Sequence, residues 1–276
     1  MGAELRFPLR YRIGGLALAL LVTLILAYLI LPQFIILPLS FSDRSYLSFP
    51  PTGWSTEWYR KIAENPSWGE ATANSLIIGI PAAFLSMIFG TLAALSIGRG
   101  SWRSAGLMSA VVVAPIMLPH VILAIGLYPI MIRLNFLGTH LAAITGHTVI
   151  GIPLVFITVK AVLAGQNGSL ELAAMTLGAN PWQTFWRVTF PMIRIGVILG
   201  GILAFASSFD ELMLSLFLTG AGTRTLPKLI WEQLNEFLTP TIAAVATLIF
   251  AFTLVLLAIA SGLRGLGSRY QVKSHG

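Results

Sequence analysis

The sequence predicts an all-α, polytopic membrane fold of six transmembrane helices, on three observations. Hydrophobic residues make up 56% of the 276 and charged residues 10%, with a mean hydropathy of +0.85, whereas a soluble domain carries roughly 25% charged residues. Surface this apolar cannot be kept in water, which excludes a soluble globular enzyme and a disordered chain. Six long apolar runs, at about 13–38, 75–97, 106–132, 140–163, 195–219 and 241–263, are each bounded by charged, Pro-rich or Gly-rich stretches, and a span needs about 20 apolar residues. The basic residues also segregate by side. Six crossings put both termini on one side with Arg6, Arg10, Arg12, Arg99, Arg103, Lys160, Arg187, Arg194, Arg264, Arg269 and Lys273, leaving Arg44, Arg60, Lys61, Arg133, Arg224 and Lys228 opposite. Those six are balanced by Asp43, Glu57, Glu64, Glu70, Glu232 and Glu236. Basic loops stay inside, so both termini are expected in the cytoplasm. The net charge of +7 then reflects topology and not a nucleic-acid partner.

The first run follows Arg6, Arg10 and Arg12 like the start of a signal peptide, but it is too long and lacks a small-residue cleavage site, so it reads as an uncleaved anchor. Between the first and second runs, residues 39–74 hold Tyr46, Phe49, Pro50, Pro51, Trp54, Trp58, Tyr59 and Trp68. Aromatics of this density suit a structured segment at the level of the lipid headgroups. The third run contains Pro115, Pro119 and Pro129, which break backbone hydrogen bonds and predict a kinked, pore-lining helix. His120, His140 and His147 lie near the third and fourth runs at a spacing that offers no metal-holding face. In the fifth run, Asp210 and Glu211 are the only acids within an apolar stretch. Each would cost a few kcal/mol unpaired in lipid, so they face protein or water. Counting from Ile195 puts them about 22 Å along that helix. Adjacent residues differ by about 100° in direction, so one is free to border a pathway while the other pairs or caps a break. Attraction of a cationic substrate and a purely structural carboxylate both remain open. Ser207, Ser208 and Ser215 are pathway hydroxyls or helix-packing residues.

The connection between the fourth and fifth runs, 164–194, is far longer than the two to eight residues that usually join helices in bundles. Glu171 to Ala179 reads as a short Ala- and Leu-rich helix after the start signals Asn167, Gly168 and Ser169, and a second helical piece starts near Pro181. Small residues Ala173, Ala174 and Gly178 let another chain approach closely. On the physics this elbow either docks into a cleft of a partner or lies on lipid headgroups through Trp182, Phe185 and Trp186.

Glu171-Leu-Ala-Ala-Met-Thr-Leu-Gly178-Ala, with nine residues between Gly178 and a following Val188-Thr-Phe-Pro191, resembles the EAA loop of permease subunits of binding-protein-dependent ABC importers. Aligned on Gly178, the motif's Glu falls on Leu172, and Glu171 sits one place earlier. The resemblance runs from about residue 40 to 260, through Asn74-Ser75, Ala114-Pro115 to Pro119, Ser208-Phe-Asp-Glu-Leu212, Phe217-Leu-Thr-Gly220 and Thr225-Leu-Pro227. The last elements look most like the polyamine, opine and phosphonate branch. The resemblance implies a type I importer fold formed by 1–276 as one permease domain, with Ser169, Glu171, Leu172, Ala173, Ala174, Leu177, Gly178 and Ala179 as the coupling helix. It also implies a second, non-identical permease subunit, two ATP-binding subunits carrying ATP and Mg, and a periplasmic binding protein. The implied solute is a polyamine such as putrescine or spermidine, an opine or an aminoalkylphosphonate.

This chain carries no phosphate-binding Gly-x-x-x-x-Gly-Lys-Ser/Thr loop, no His-Glu-x-x-His and no cysteine, so it is expected to bind no cofactor and to hydrolyse no ATP itself. Two rivals remain. A secondary transporter would show hydropathy repeats around an ion site, and an intramembrane hydrolase would need a dyad such as Ser208 with a histidine.

Overall fold

The computed structural model describes residues 9–100, 103–166, 168–236 and 239–272; Arg6, Asn167 and Lys273 lie outside them. The described residues fold into α-helices joined by turns and loops, and they divide into two compact units, one from 9–64 with 239–250 and one from 65–236 with 251–272. Five helical stretches are long and apolar enough to cross a membrane, Leu18–Leu39, Pro66–Arg99, His140–Ala164, Pro181–Phe209 and Pro240–Gly262. A bent pair makes a sixth if it counts as one span.

In the first unit, α1 (Leu9–Leu39) leads into a turn that α2 (Glu57–Glu64) closes. The indole of Trp58 is buried and its Nε1 donates to the Ser42 carbonyl at 2.7 Å, while the Tyr59 and Ser40 hydroxyls are 2.7 Å apart. Tyr46, Phe49 and Trp54 point outward. The aromatic segment therefore splits into a structural half and an exposed half. The first part of α12 (Pro240–Val272) belongs to this unit, with Ala243, Ala244 and Val245 buried.

The second unit is built on three packed helices, α3 (Pro66–Arg99), α6 (His140–Ala164) and α9 (Phe190–Phe209). Asn65 starts α3 by accepting the Ser67 amide at 3.0 Å, with Pro66 at the first helical position. Small residues let the three axes close. A Cβ at Gly90 would stand 2.9 Å from the Ile152 carbonyl, and one at Gly200 2.7 Å from the Val155 Cα. Apolar helices in lipid gain little from hydrophobic burial, so such close van der Waals approach is what holds them. Ile193, Val155, Phe156 and Val159 fill the centre. Ser86 bonds across from α3 to the Thr148 carbonyl of α6 at 3.2 Å.

Two of the expected continuous runs are interrupted. The stretch 106–132 divides into α4 (Ala105–Met117) and α5 (His120–Arg133), which meet at 98°. Pro119 supplies no amide and forces Leu118 into an extended conformation, φ −82 and ψ 141, so the chain turns there and does not merely kink. The stretch 195–219 divides into α9 and α10 (Met213–Leu218), with Asp210, Glu211 and Leu212 between them. Two adjacent acids disfavour a helix continuing through lipid, and at the break one of them becomes a cap. Finally, α11 (Leu226–Glu236) leads towards α12.

Candidate functional site

The elbow between α6 and α9 begins at α7 (Ser169–Thr176), with Gly168 as the preceding cap residue. Leu177 ends α7, and Gly178 turns the chain with φ +90, a conformation that side chains with a Cβ rarely adopt. Ala179 donates its amide back to the Ala174 carbonyl at 3.0 Å. Asn180 then opens α8 (Pro181–Thr184) through a capping box: Gln183 N donates to Asn180 Oδ1 at 2.8 Å, and Asn180 N to Gln183 Oε1 at 3.1 Å. A five-residue π-helical turn, Phe185–Thr189, joins α8 to α9.

Of the coupling residues expected from sequence, Leu172, Ala173, Leu177 and Gly178 are exposed, Leu177 to 89%, and Leu170 and Met175 join them. Ala174 and Ala179 are half-buried. Ser169 occupies the first position of α7. Glu171 behaves differently. It is 9% exposed and turns inward, where Oε1 accepts the Thr189 hydroxyl of the π turn and pairs with the guanidinium of Arg99, the last residue of α3. Arg99 Nη1 also reaches Thr189 Oγ1 at 3.3 Å. One residue turns a side chain about 100° around a helix, so the offset of this acid has a physical counterpart: Leu172 faces out and Glu171 faces in. Sequence reasoning missed Arg99 and Thr189 as its partners. A basic residue at a helix C-terminus is already accounted for by the helix dipole, so Arg99 raised no signal of its own.

The aromatic face forms a chain of its own. Ring centroids lie 5.7 Å apart for Trp182–Trp186, 5.1 Å for Phe185–Trp186 and 5.1 Å for Trp186–Phe190. Trp182 and Trp186 remain exposed. The elbow therefore offers two surfaces, an aliphatic rim on α7 and an aromatic one on α8 and the π turn. The first suits a protein cleft and the second a headgroup layer.

The acids of the broken fifth run also separate. Glu211 is 5% exposed; its Oε1 accepts the Leu214 amide at 3.0 Å, capping α10, and its Oε2 accepts from His120 Nδ1 at 2.6 Å. That pair joins the break in α9–α10 to the break in α4–α5. Ser215 Oγ donates to the Glu211 carbonyl at 2.8 Å. Asp210, the C-cap of α9, lies exposed beside it. Sequence alone left open which acid borders a pathway and which pairs or caps a break; in the structure Glu211 is the cap and Asp210 the exposed carboxylate.

His140 and His147 are engaged singly. His140 Nε2 donates to Asn74 Oδ1 at 2.8 Å, while Asn74 Nδ2 donates to the Gly222 and Arg224 carbonyls at 3.2 and 3.0 Å. Ser75 Oγ accepts the Leu226 amide at 2.8 Å. These bonds explain why the Asn74-Ser75 and Thr225-Leu-Pro227 motifs accompany each other: one fastens the loop that carries the other. Lys228, beside that loop, donates to the Thr219 carbonyl at 2.9 Å. Burial holds its ammonium below the usual lysine range, with the Glu232 carboxylate opposing that shift. His147 Nδ1 lies 2.7 Å from Ser208 Oγ, so a Ser–His pair does exist. Both residues are buried and His147 Nε2 has no bonded partner among the described residues. A nucleophile so placed meets no substrate, and its base lacks an orienting acid.

A family model described as binding-protein-dependent transport system inner membrane component matches residues 86–266. The putrescine transport system permease protein PotI of Escherichia coli K12 is 34% identical over 208 residues, 71% of this chain and 73% of that protein. The spermidine/putrescine transport system permease protein PotC of the same strain is 28% identical over 244 residues, 88% and 92% of the two chains. Among solved structures, a bacterial ABC transporter importing the acidic polysaccharide alginate matches at TM-score 0.68 and 16% identity, covering 94% of this chain and 98% of that one.

Proposed function

We propose a function that proceeds from one premise: the chain belongs to the family of binding-protein-dependent transport system inner membrane components. It is a multi-pass inner-membrane permease subunit of an ABC importer with the type I fold, and not an enzyme. It works beside a second permease and a periplasmic binding protein. Its solute is a polyamine such as putrescine or spermidine. The names of PotI and PotC support that reading, as does Asp210, an exposed carboxylate beside a helix break. The second permease is a different chain, and two further subunits bind ATP and Mg. Both termini and the elbow lie in the cytoplasm, a reading that rests on the bias of basic residues.

The mechanism is alternating access. A loaded binding protein docks outside, the ATP-binding subunits close on ATP, and α7 conveys their motion to the spans. The solute passes a wall on which Asp210 attracts its ammonium groups, while Glu211, occupied by His120 and the α10 amide, keeps the two breaks in register. The observation that carries this reading is the elbow: α7 presents Leu170, Leu172 and Leu177 outward on a connection long beyond structural need. Leu172, not Glu171, faces the ATP-binding subunit.

Coexpression with both ATP-binding subunits, the second permease and the binding protein, followed by reconstitution in vesicles, tests it. Labelled putrescine is expected to enter only with ATP and all components, and spermidine to compete. Uptake driven by an ion gradient without ATP-binding subunits overturns the reading. Competition by an aminoalkylphosphonate and not by polyamines reassigns the solute.

A further inference from the structure

Among the described residues of α7, Glu171 alone is buried. Every other side chain from Ser169 to Gly178 is exposed, apart from the half-buried Ala174. Glu171 is thus the buried side chain by which α7 meets the helices beside it. That carboxylate touches two elements at once. Its Oε1 takes the guanidinium of Arg99, which ends α3, and the hydroxyl of Thr189, the last residue of the π turn that leads into α9. Arg99 Nη1 closes the triangle on Thr189 Oγ1 at 3.3 Å. Both α3 and α9 pack on α6 along the spans.

The chemistry suits transmission rather than adhesion. The Glu171 end of the pair is buried and the Arg99 side chain is one-third exposed, so the contact is directional and solvent screens it only in part when its ends are drawn apart. The π turn supplies the other requirement. Its wider hydrogen-bond spacing is a local irregularity at which α9 can change direction, and such turns recur at functional sites. The aliphatic rim of α7 has no comparable hold on the spans, so it receives force without passing it inward.

We propose that the Glu171–Arg99–Thr189 triad is the strut that conveys movement of α7 to the ends of α3 and α9 together, so that the two spans move as a pair when the ATP-binding subunits close. This rests on the reading of the chain as an ATP-driven permease and assigns positioning residues within it. Breaking the strut is expected to uncouple the transporter, leaving hydrolysis running while solute fails to follow.

The test uses the complete complex in vesicles, measuring binding-protein-stimulated ATP hydrolysis and putrescine uptake on the same preparation. Glu171→Gln and Arg99→Gln are each expected to hold hydrolysis within about twofold of the unaltered complex while uptake per ATP falls at least about fivefold. The exchanged pair, Arg99→Glu with Glu171→Arg, restores opposite charges and is expected to recover most of that ratio. An unchanged ratio in Glu171→Gln overturns the strut, as does a parallel loss of hydrolysis and uptake that the exchanged pair fails to reverse. If the unaltered chain retains no ATP-binding subunit and imports nothing with ATP, the functional reading fails and the strut with it.

Discussion

Asp210 and Glu211 are neighbours in sequence and differ in everything that decides their behaviour. Glu211 caps α10 and pairs with His120, so its charge is satisfied inside the protein; Asp210 is exposed at the end of α9. Asp210→Asn is expected to lower putrescine uptake about tenfold at low solute concentration, since removing one carboxylate near a cation costs about 1.4 kcal/mol of attraction. Assembly and thermal stability should stay unchanged. Glu211→Gln keeps the amide cap but loses the charge opposite His120, which is one-third exposed. A cost of about 2 kcal/mol follows, below the cost of a fully buried pair. The purified complex is expected to melt about 4–8 °C lower. Equal uptake in Asp210→Asn and the unaltered chain would place that acid outside the pathway. The sequence announced that two intramembrane acids needed partners, and it even allowed one to cap a break. It could not name His120, which lies 91 residues away, because nothing local fixes a contact made by tertiary packing.

At the scale of elements, the elbow was legible in the sequence for reasons that are themselves local. Pro181 at the start of α8, Gly178 at the turn and the small residues of α7 all act within a few residues of where they stand. The breaks at Leu118 and Asp210 were only half legible. Prolines announced an irregularity in 106–132, but a kink and a 98° turn share the same residues, and packing chooses between them. Two expectations belong here. Leu177 is 89% exposed, so Leu177→Asp removes no internal contact. It should leave the melting temperature unchanged while copurification with the ATP-binding subunits falls about tenfold, since an interface contact of that size is worth about 1.4 kcal/mol. Full copurification would show that the partner bypasses α7. Gly178→Val forces a branched side chain to φ +90, at a cost of about 1–3 kcal/mol. Reorienting α7 is expected to slow uptake more than it lowers stability, read from transport and melting curves of one preparation.

For the whole molecule, the expectation of six crossings came from composition, and five helices with one bent pair answer to it; the expected sidedness rests on the distribution of charge alone. What composition does not contain is the order in which helices pack. That α3, α6 and α9 form the centre of their unit depends on Gly90 and Gly200 meeting particular backbones, and small residues occur in every run. The chain has no cysteine, so single cysteines introduced at exposed positions report topology on a silent background. A cysteine at Leu177 should react with a membrane-impermeant thiol reagent only from the cytoplasmic side, and one at Trp54 only from the periplasmic side. Labelling in the reverse sense would invert the orientation and take the elbow away from ATP.

The clasp of Asn74 and Ser75 on residues 222–226 bridges about 150 positions of chain. During synthesis on the ribosome, the N-terminal part of α3 is made long before the carbonyls it awaits. Until then the Asn74 side chain has His140 as its earlier partner, and that part of the fold stays unfinished. Fragments that stop short of residue 222 would lack the partners of Asn74 and Ser75. Closure of this part of α3 thus waits on one of the last loops of the chain to be made.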